Sequence, residues 1–223
     1  YLPGGAAVDA LWSNYFTTLA QYRELENVYN SKNTTDQADF KIYMMAAKVH
    51  LYEYTQKIVD LFGDIPFSKA GLLGKNGGDY ANSYPEYDKA DAIYKVMLDD
   101  LKSIADEMST IQIKSGIASG FKTQDFILKG DLMAWRRYTN SLRMRILTRV
   151  SGVAAFSARY KSEVAEILNN ATKYPIVTKH SENVQISVFD IGSPIHSKNF
   201  RTGLEDWNGN LASKVIVDHM VTN

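Results

Sequence analysis

Cysteine is absent from all 223 residues. That excludes disulfides, thiolate metal sites and cysteine nucleophiles, without fixing a compartment. No stretch reaches the roughly 18 consecutive apolar residues that a membrane-spanning helix needs. Excess charge is missing too: Lys plus Arg and Asp plus Glu both total 25, a formal net charge of zero. A broad nucleic-acid surface would require a basic excess, so no nucleic-acid partner is expected. The four histidines, His50, His180, His196 and His219, are mutually isolated and form no HxxxH or HxH ligand pair. There is no GxSxG, no Walker loop, no GxGxxG after a strand and no alternating-aspartate calcium loop. Ser115 to Gly120 carries glycines, but no lysine and no preceding strand, and reads as a linker. These absences leave no catalytic centre, no metal site and no cofactor. The chain is expected to bind rather than catalyse.

What is present is enough to fold. The hydrophobic fraction is 45%, ordinary for a globular domain and incompatible with disorder. Tyrosine stands out, with 14 residues beside 9 phenylalanines and 3 tryptophans. A ring with a polar tip suits half-buried helix contacts and also surfaces that stack on sugars.

Helical periodicity dominates. Val8, Leu11, Tyr15, Leu19, Tyr22, Leu25 and Tyr29 recur every three or four residues, predicting a helix over about 6–29. After the break at Asn30 to Thr34, Asp36 is expected to cap a second helix. Its inward stripe is Phe40, Met44, Ala47, Leu51, Tyr54, Ile58 and Leu61, packed on the first helix. Gly63 and Pro66 end it. Residues 67–87, rich in Gly, Asn, Ser and Tyr, read as a long surface loop. Asp88 is expected to cap a third helix with Ala90, Ile93, Met97, Leu101, Ile104 and Met108 inward; Asp99 and Asp100 then fall on a solvated face. Residues 109–130 read as a polar connector. Asp131 caps a fourth helix carrying Trp135, Tyr138, Leu142, Ile146 and Val150, and a fifth helix covers about 157–170. Beyond it, 176–178 and 184–189 alternate like short strands or extended segments. Gly192, Pro194, Gly203 and Gly209 mark an irregular region, and 211–220 is a last helical stretch.

The expected fold is therefore mainly α, with stacked antiparallel helical hairpins of tetratricopeptide-like type, although no clean thirty-four-residue repeat is present. Residues 1–223 read as one incomplete domain, a piece of something longer. On the fourth helix Arg149 projects near the middle of the apolar face and Arg145 at its edge. A buried guanidinium must find a partner. Ion pairs to Asp60 or Asp64 are expected, with anion binding as the functional alternative.

Three segments are more specific. Ile58 to Ala70 (IVDLFGDIPFSKA) resembles the FGDIP stretch of the SusD/RagB family. Tyr87-Asp88, Ile93-Tyr94 and Leu98 to Leu101 resemble that family's YD…IY…L.DL helix, and Trp135 to Ser151 (WRRYTNSLRMRILTRVS) is similar to its NSLRLR helix. Together they span about residues 54–151, in a family whose members are typically about twice this long.

The resemblance implies a lipid-anchored protein on the extracellular face of a bacterial outer membrane, its anchor lying outside this chain. It would capture a glycan, or another nutrient, for a SusC-like TonB-dependent transporter. The motifs themselves read as determinants of fold. Sugar contacts are expected from aromatic side chains in loop-like sequence, Tyr80, Tyr84 and Trp207. The competing reading is a helical scaffold that binds a protein or peptide along concave hairpin surfaces.

Overall fold

A computed structural model describes residues 5–186 of the chain. Contacts divide the chain into Tyr1–Val184 and Gln185–Asn223, and all the helices described belong to the first unit. Six helices follow one another: α1 (Gly5–Asn30), α2 (Thr34–Phe62), α3 (Ala90–Met108), α4 (Ser115–Gln124), α5 (Leu132–Val150) and α6 (Ala154–Asn169). A short 3₁₀ turn, His180–Glu182, comes after them. Neighbours pack in succession: α1 on α2, α2 on α3 and α5, α3 on α5, and α5 on α6. The protein is mainly α, as its periodicity predicts. Among the described residues there is no sheet, and the one β-bridge joins Ile65 to Asp88. Residues 176–178 join no ladder. The expected segments beyond 186 lie outside the described residues.

The long second helix starts earlier than expected, because Asn33, not Asp36, is its N-cap. The Asn33 side chain accepts the Asp36 N–H at 2.9 Å, and Asp36 sits in the first turn, where a carboxylate favours the helix dipole. Its C-terminus follows the expected logic. Gly63 adopts φ 75° and donates its N–H to the Val59 carbonyl at 2.9 Å, a conformation that costs any residue with a Cβ.

Two stripes of α2 are buried rather than one. Leu51, Thr55 and Ile58 are buried on the side that meets α1, where the Tyr15 and Thr55 hydroxyls bond at 3.2 Å and Trp12 lies edge-on to Phe62. The second stripe, Ile42, Met45, Val49, Tyr52, Gln56 and Val59, is equally buried. Tyr52 donates to Asp100 on α3, and Gln56 accepts from Arg145 on α5. The ends of the expected stripe are exposed: Phe40 is 37% and Leu61 63% accessible. A helix central to a bundle has no single inward face.

The supposed connector at 109–130 contains α4. Phe121 of α4 is buried against Tyr43 and Trp135. After it, the nearly buried Asp125 accepts the N–H groups of Ile127, Leu128 and Gly130 at 2.9–3.0 Å and the Trp135 indole N–H at 2.7 Å. Burial alone would raise its pKa, but those donors win, and the carboxyl is held below the usual aspartate range. Asp131 caps α5 as expected, accepting the Ala134 N–H.

Candidate functional site

The long loop is pinned at its stem by the residues of the FGDIP and YD segments. Ile65 and Asp88 exchange backbone hydrogen bonds at 2.9 and 3.3 Å. The Asp88 carboxylate accepts the N–H groups of Phe67 and Ser68 and the Ser68 hydroxyl, all within 3.0 Å. Asp88 is therefore not the cap of α3. That role passes to Asp64, whose carboxylate accepts the Ala90 N–H at 2.9 Å and the Lys89 ammonium at 2.7 Å. The two acids work crosswise, each holding the opposite end of the loop, so some twenty intervening residues leave and return at a fixed place.

Within the loop, polar side chains replace regular structure. Asn76 donates to Asn82 O and Ser83 Oγ, Ser83 donates to Asp79 O at 2.6 Å, and Asn82 donates to the Asp79 carboxylate at 2.6 Å. The Asn82 bonds hold the Asp79 carboxyl below its usual range. At Gly71, φ is 76° and a Cβ would sit 3.0 Å from the Ala20 Cα, so glycine is what lets the loop lie against α1.

This frame displays aromatic rings. Tyr80 is 66% and Tyr84 76% accessible, and Tyr87 joins them at 64%. Tyr87 belongs to a fold motif in the sequence yet is a surface ring in the structure; alternation within the stem, with Asp88 turned inward, is the signal that points to it. None of the three forms an aromatic pair with another among the described residues. Trp207, the third expected contact, lies outside the described residues.

The arginines of α5 divide differently from expectation. Arg149 is 56% exposed, although Ile146, Leu147 and Val150 in the same turn are buried. It donates Nε to Asp60 at 2.9 Å. Arg145 donates Nε to Gln56 at 2.9 Å and lies 3.5 Å from Glu53. Asp64 takes neither arginine, being engaged at the loop stem.

The buried cation is Arg143, fully excluded from solvent. Its Nε and Nη2 reach Glu163 at 2.8 and 2.6 Å, and Nη2 also reaches Glu166 at 2.7 Å. Asp99 lies on an exposed face, as expected, and pairs there with Lys95 and Arg159. Asp100 holds Lys48 and Tyr52. No cluster of three or more His, Asp or Glu side chains able to hold a metal occurs among the described residues.

Residues 6–223 match the model of a SusD-like family, described as starch-binding and associating with the outer membrane. The chain belongs to the SusD-like family. Among curated proteins there is no match. Solved structures share the fold. A chitin-binding protein is 21% identical with a TM-score of 0.68, over 96% of this chain and 40% of its own. A SusD/RagB family protein from Bacteroides thetaiotaomicron is 17% identical with a TM-score of 0.62, over 86% and 36%. A candidate nutrient-binding outer membrane protein from Bacteroides vulgatus is 23% identical with a TM-score of 0.58, over 80% and 35%. The chain thus spans 30–40% of the length of the solved SusD-like structures it matches. No described helix is long and apolar enough to cross a membrane.

Proposed function

We propose that this chain is the helical part of a cell-surface protein that captures a glycan without cleaving it and delivers it to a SusC-like TonB-dependent transporter. The observation that carries the reading is the SusD-like match over 6–223, in a family described as starch-binding and associating with the outer membrane. A chitin-binding protein with the same helical fold supports the same ligand class. In this reading a lipid anchor outside the chain holds it to the extracellular face of the outer membrane.

The loop supplies the contact chemistry. Tyr80 and Tyr84, with Tyr87 beside the stem, are rings held on a loop that hydrogen-bonds to itself, so little ordering entropy opposes stacking on a sugar face. Function placed on a loop over a fixed scaffold leaves ligand choice free to change without disturbing the core. Trp207 remains a proposed contact from sequence. A glycan array with a parallel hydrolysis assay tests the reading: binding without product release supports it. Cleavage of a bound glycan would overturn the non-catalytic part.

One observation favours the competing reading, a scaffold for a protein or peptide. Two recesses of about 210 and 240 Å³ lie side by side over α2, with Tyr22, Lys48 and Asp100 common to both. They make a groove walled by α1 and α3. Its charges are already paired internally, Lys48 with Asp100 and Lys41 with Glu107, which leaves little to recognise a peptide. Glycan capture is the better reading.

A further inference from the structure

Between α5, α2 and the segment after α6 lies an open basin of about 600 Å³, within the size range of small-ligand sites. It is separate from the tyrosine loop. Both charged residues that line it are arginines, Arg145 and Arg149, and no acid lines it. They stand four residues apart on α5, so their side chains are neighbours on one face.

Each guanidinium is fastened by its Nε, Arg145 to Gln56 and Arg149 to Asp60, both at 2.9 Å. The side chains nevertheless remain 48% and 56% accessible. The balancing acid for Arg145 is weakly engaged: Glu53 lies 3.5 Å away and is shared with the Tyr138 hydroxyl and Lys57. Anchoring at Nε orients each planar fork; Asp60 balances the Arg149 charge, so the spare positive charge is that of Arg145. Such a fork matches the oxygens of a carboxylate or sulfate. Ser141, also in the lining, accepts the Val177 N–H at 2.9 Å, which leaves its own hydroxyl proton for a ligand. Met144 and Ile176 supply apolar wall.

We propose that this basin is an anion-binding subsite for a carboxylate or sulfate oxygen group, carried by an acidic sugar. The anion site rests on the arginine geometry; only the sugar as its carrier rests on the glycan reading.

The experiment uses the full chain and two probes. The Nε–Hε NMR signals of Arg145 and Arg149 are followed during titration with sodium sulfate. Calorimetry compares trigalacturonate with the matching neutral trisaccharide, at low and high salt. The expected result is a sulfate-dependent shift of both signals and an acidic sugar bound about tenfold or more tightly than the neutral one. That preference should fade at high salt and vanish in Arg145→Gln/Arg149→Gln. Arg145→Lys, which keeps the charge and removes the fork, should lose several-fold on its own and serves if the double variant does not fold. A sulfate response without sugar binding keeps the anion site and overturns the sugar carrier. No response to sulfate, together with equal affinity for the two trisaccharides, overturns the proposal. So does an acidic preference that survives the double substitution in a protein with an unchanged melting temperature.

Discussion

Removing the fully buried Arg143 guanidinium would leave the buried Glu163 with Arg159 alone and the partly exposed Glu166 with Lys102 alone. Breaking a buried pair from one side is among the costliest single changes, about 3–5 kcal/mol. Arg143→Met should therefore lower the denaturant midpoint sharply, with the unfolding slope unchanged; a midpoint within error of the parent would show the network to be dispensable. The network also has a pH signature. Burial acts to raise the Glu166 pKa, but hydrogen bonds and charge from Lys102 and Arg143 outweigh it, and the folded value lies below the ordinary 4.5. A depressed folded pKa means a contribution fully present above about pH 4.5 and lost as pH falls through the lower folded value. Glu166→Gln should flatten the acid side of the stability–pH curve, and an unchanged acid slope would contradict the account. Arg143 was hard to read in sequence for a definite reason. The apolar residues of α5 suggest a face centred near Trp135 and Ile146, whereas α6 widens the buried arc toward Leu147 and Arg143. Arg149 projects onto the right face, yet its side chain turns to Asp60 and stays 56% accessible.

At the level of elements, periodicity located every long helix among the described residues and Asp131 named its own helix start, because those signals are local. The partner of a helix is not local. The second buried stripe of α2 exists because α3 and α5 return to it from 30 and more residues away. Leu51 lies on the stripe that faces α1 and is 3% accessible. Leu51→Asp buries an unpaired charge and should unfold or severely destabilise the chain, a loss visible in thermal melting. A parent-like melting temperature would refute the α1–α2 packing. The short α4 escaped notice because Ser and Gly weaken its propensity; Phe121 and the Asp125 turn secure it instead. In that turn Gly130 has φ 70°, and an added Cβ would lie 2.7 Å from the Lys122 backbone. Gly130→Ala should cost more than the roughly 1 kcal/mol typical of a left-handed glycine. A calorimetric melt should show it, and a cost near zero would contradict the turn.

At the scale of the molecule, the described residues divide into a helical scaffold and one long loop whose stem is clamped by Asp64 and Asp88. The FGDIP and YD segments were legible as family marks before their purpose was: they are the two halves of that clamp. The rings they present, Tyr80 and Tyr84, were legible from loop composition. Tyr87 was hidden by its place in a motif, and the arginine basin was invisible because it depends on α2, α5 and residues 176–177 coming together. The central claim is glycan capture by exposed loop rings, and its most direct test is a paired measurement on the Tyr80→Ala/Tyr84→Ala double variant. Glycan affinity and thermal unfolding are determined on the same protein. The account predicts affinity reduced about tenfold or more, as expected for losing ring stacking, with an unchanged melting temperature. Parent-like affinity in a folded double variant would contradict it.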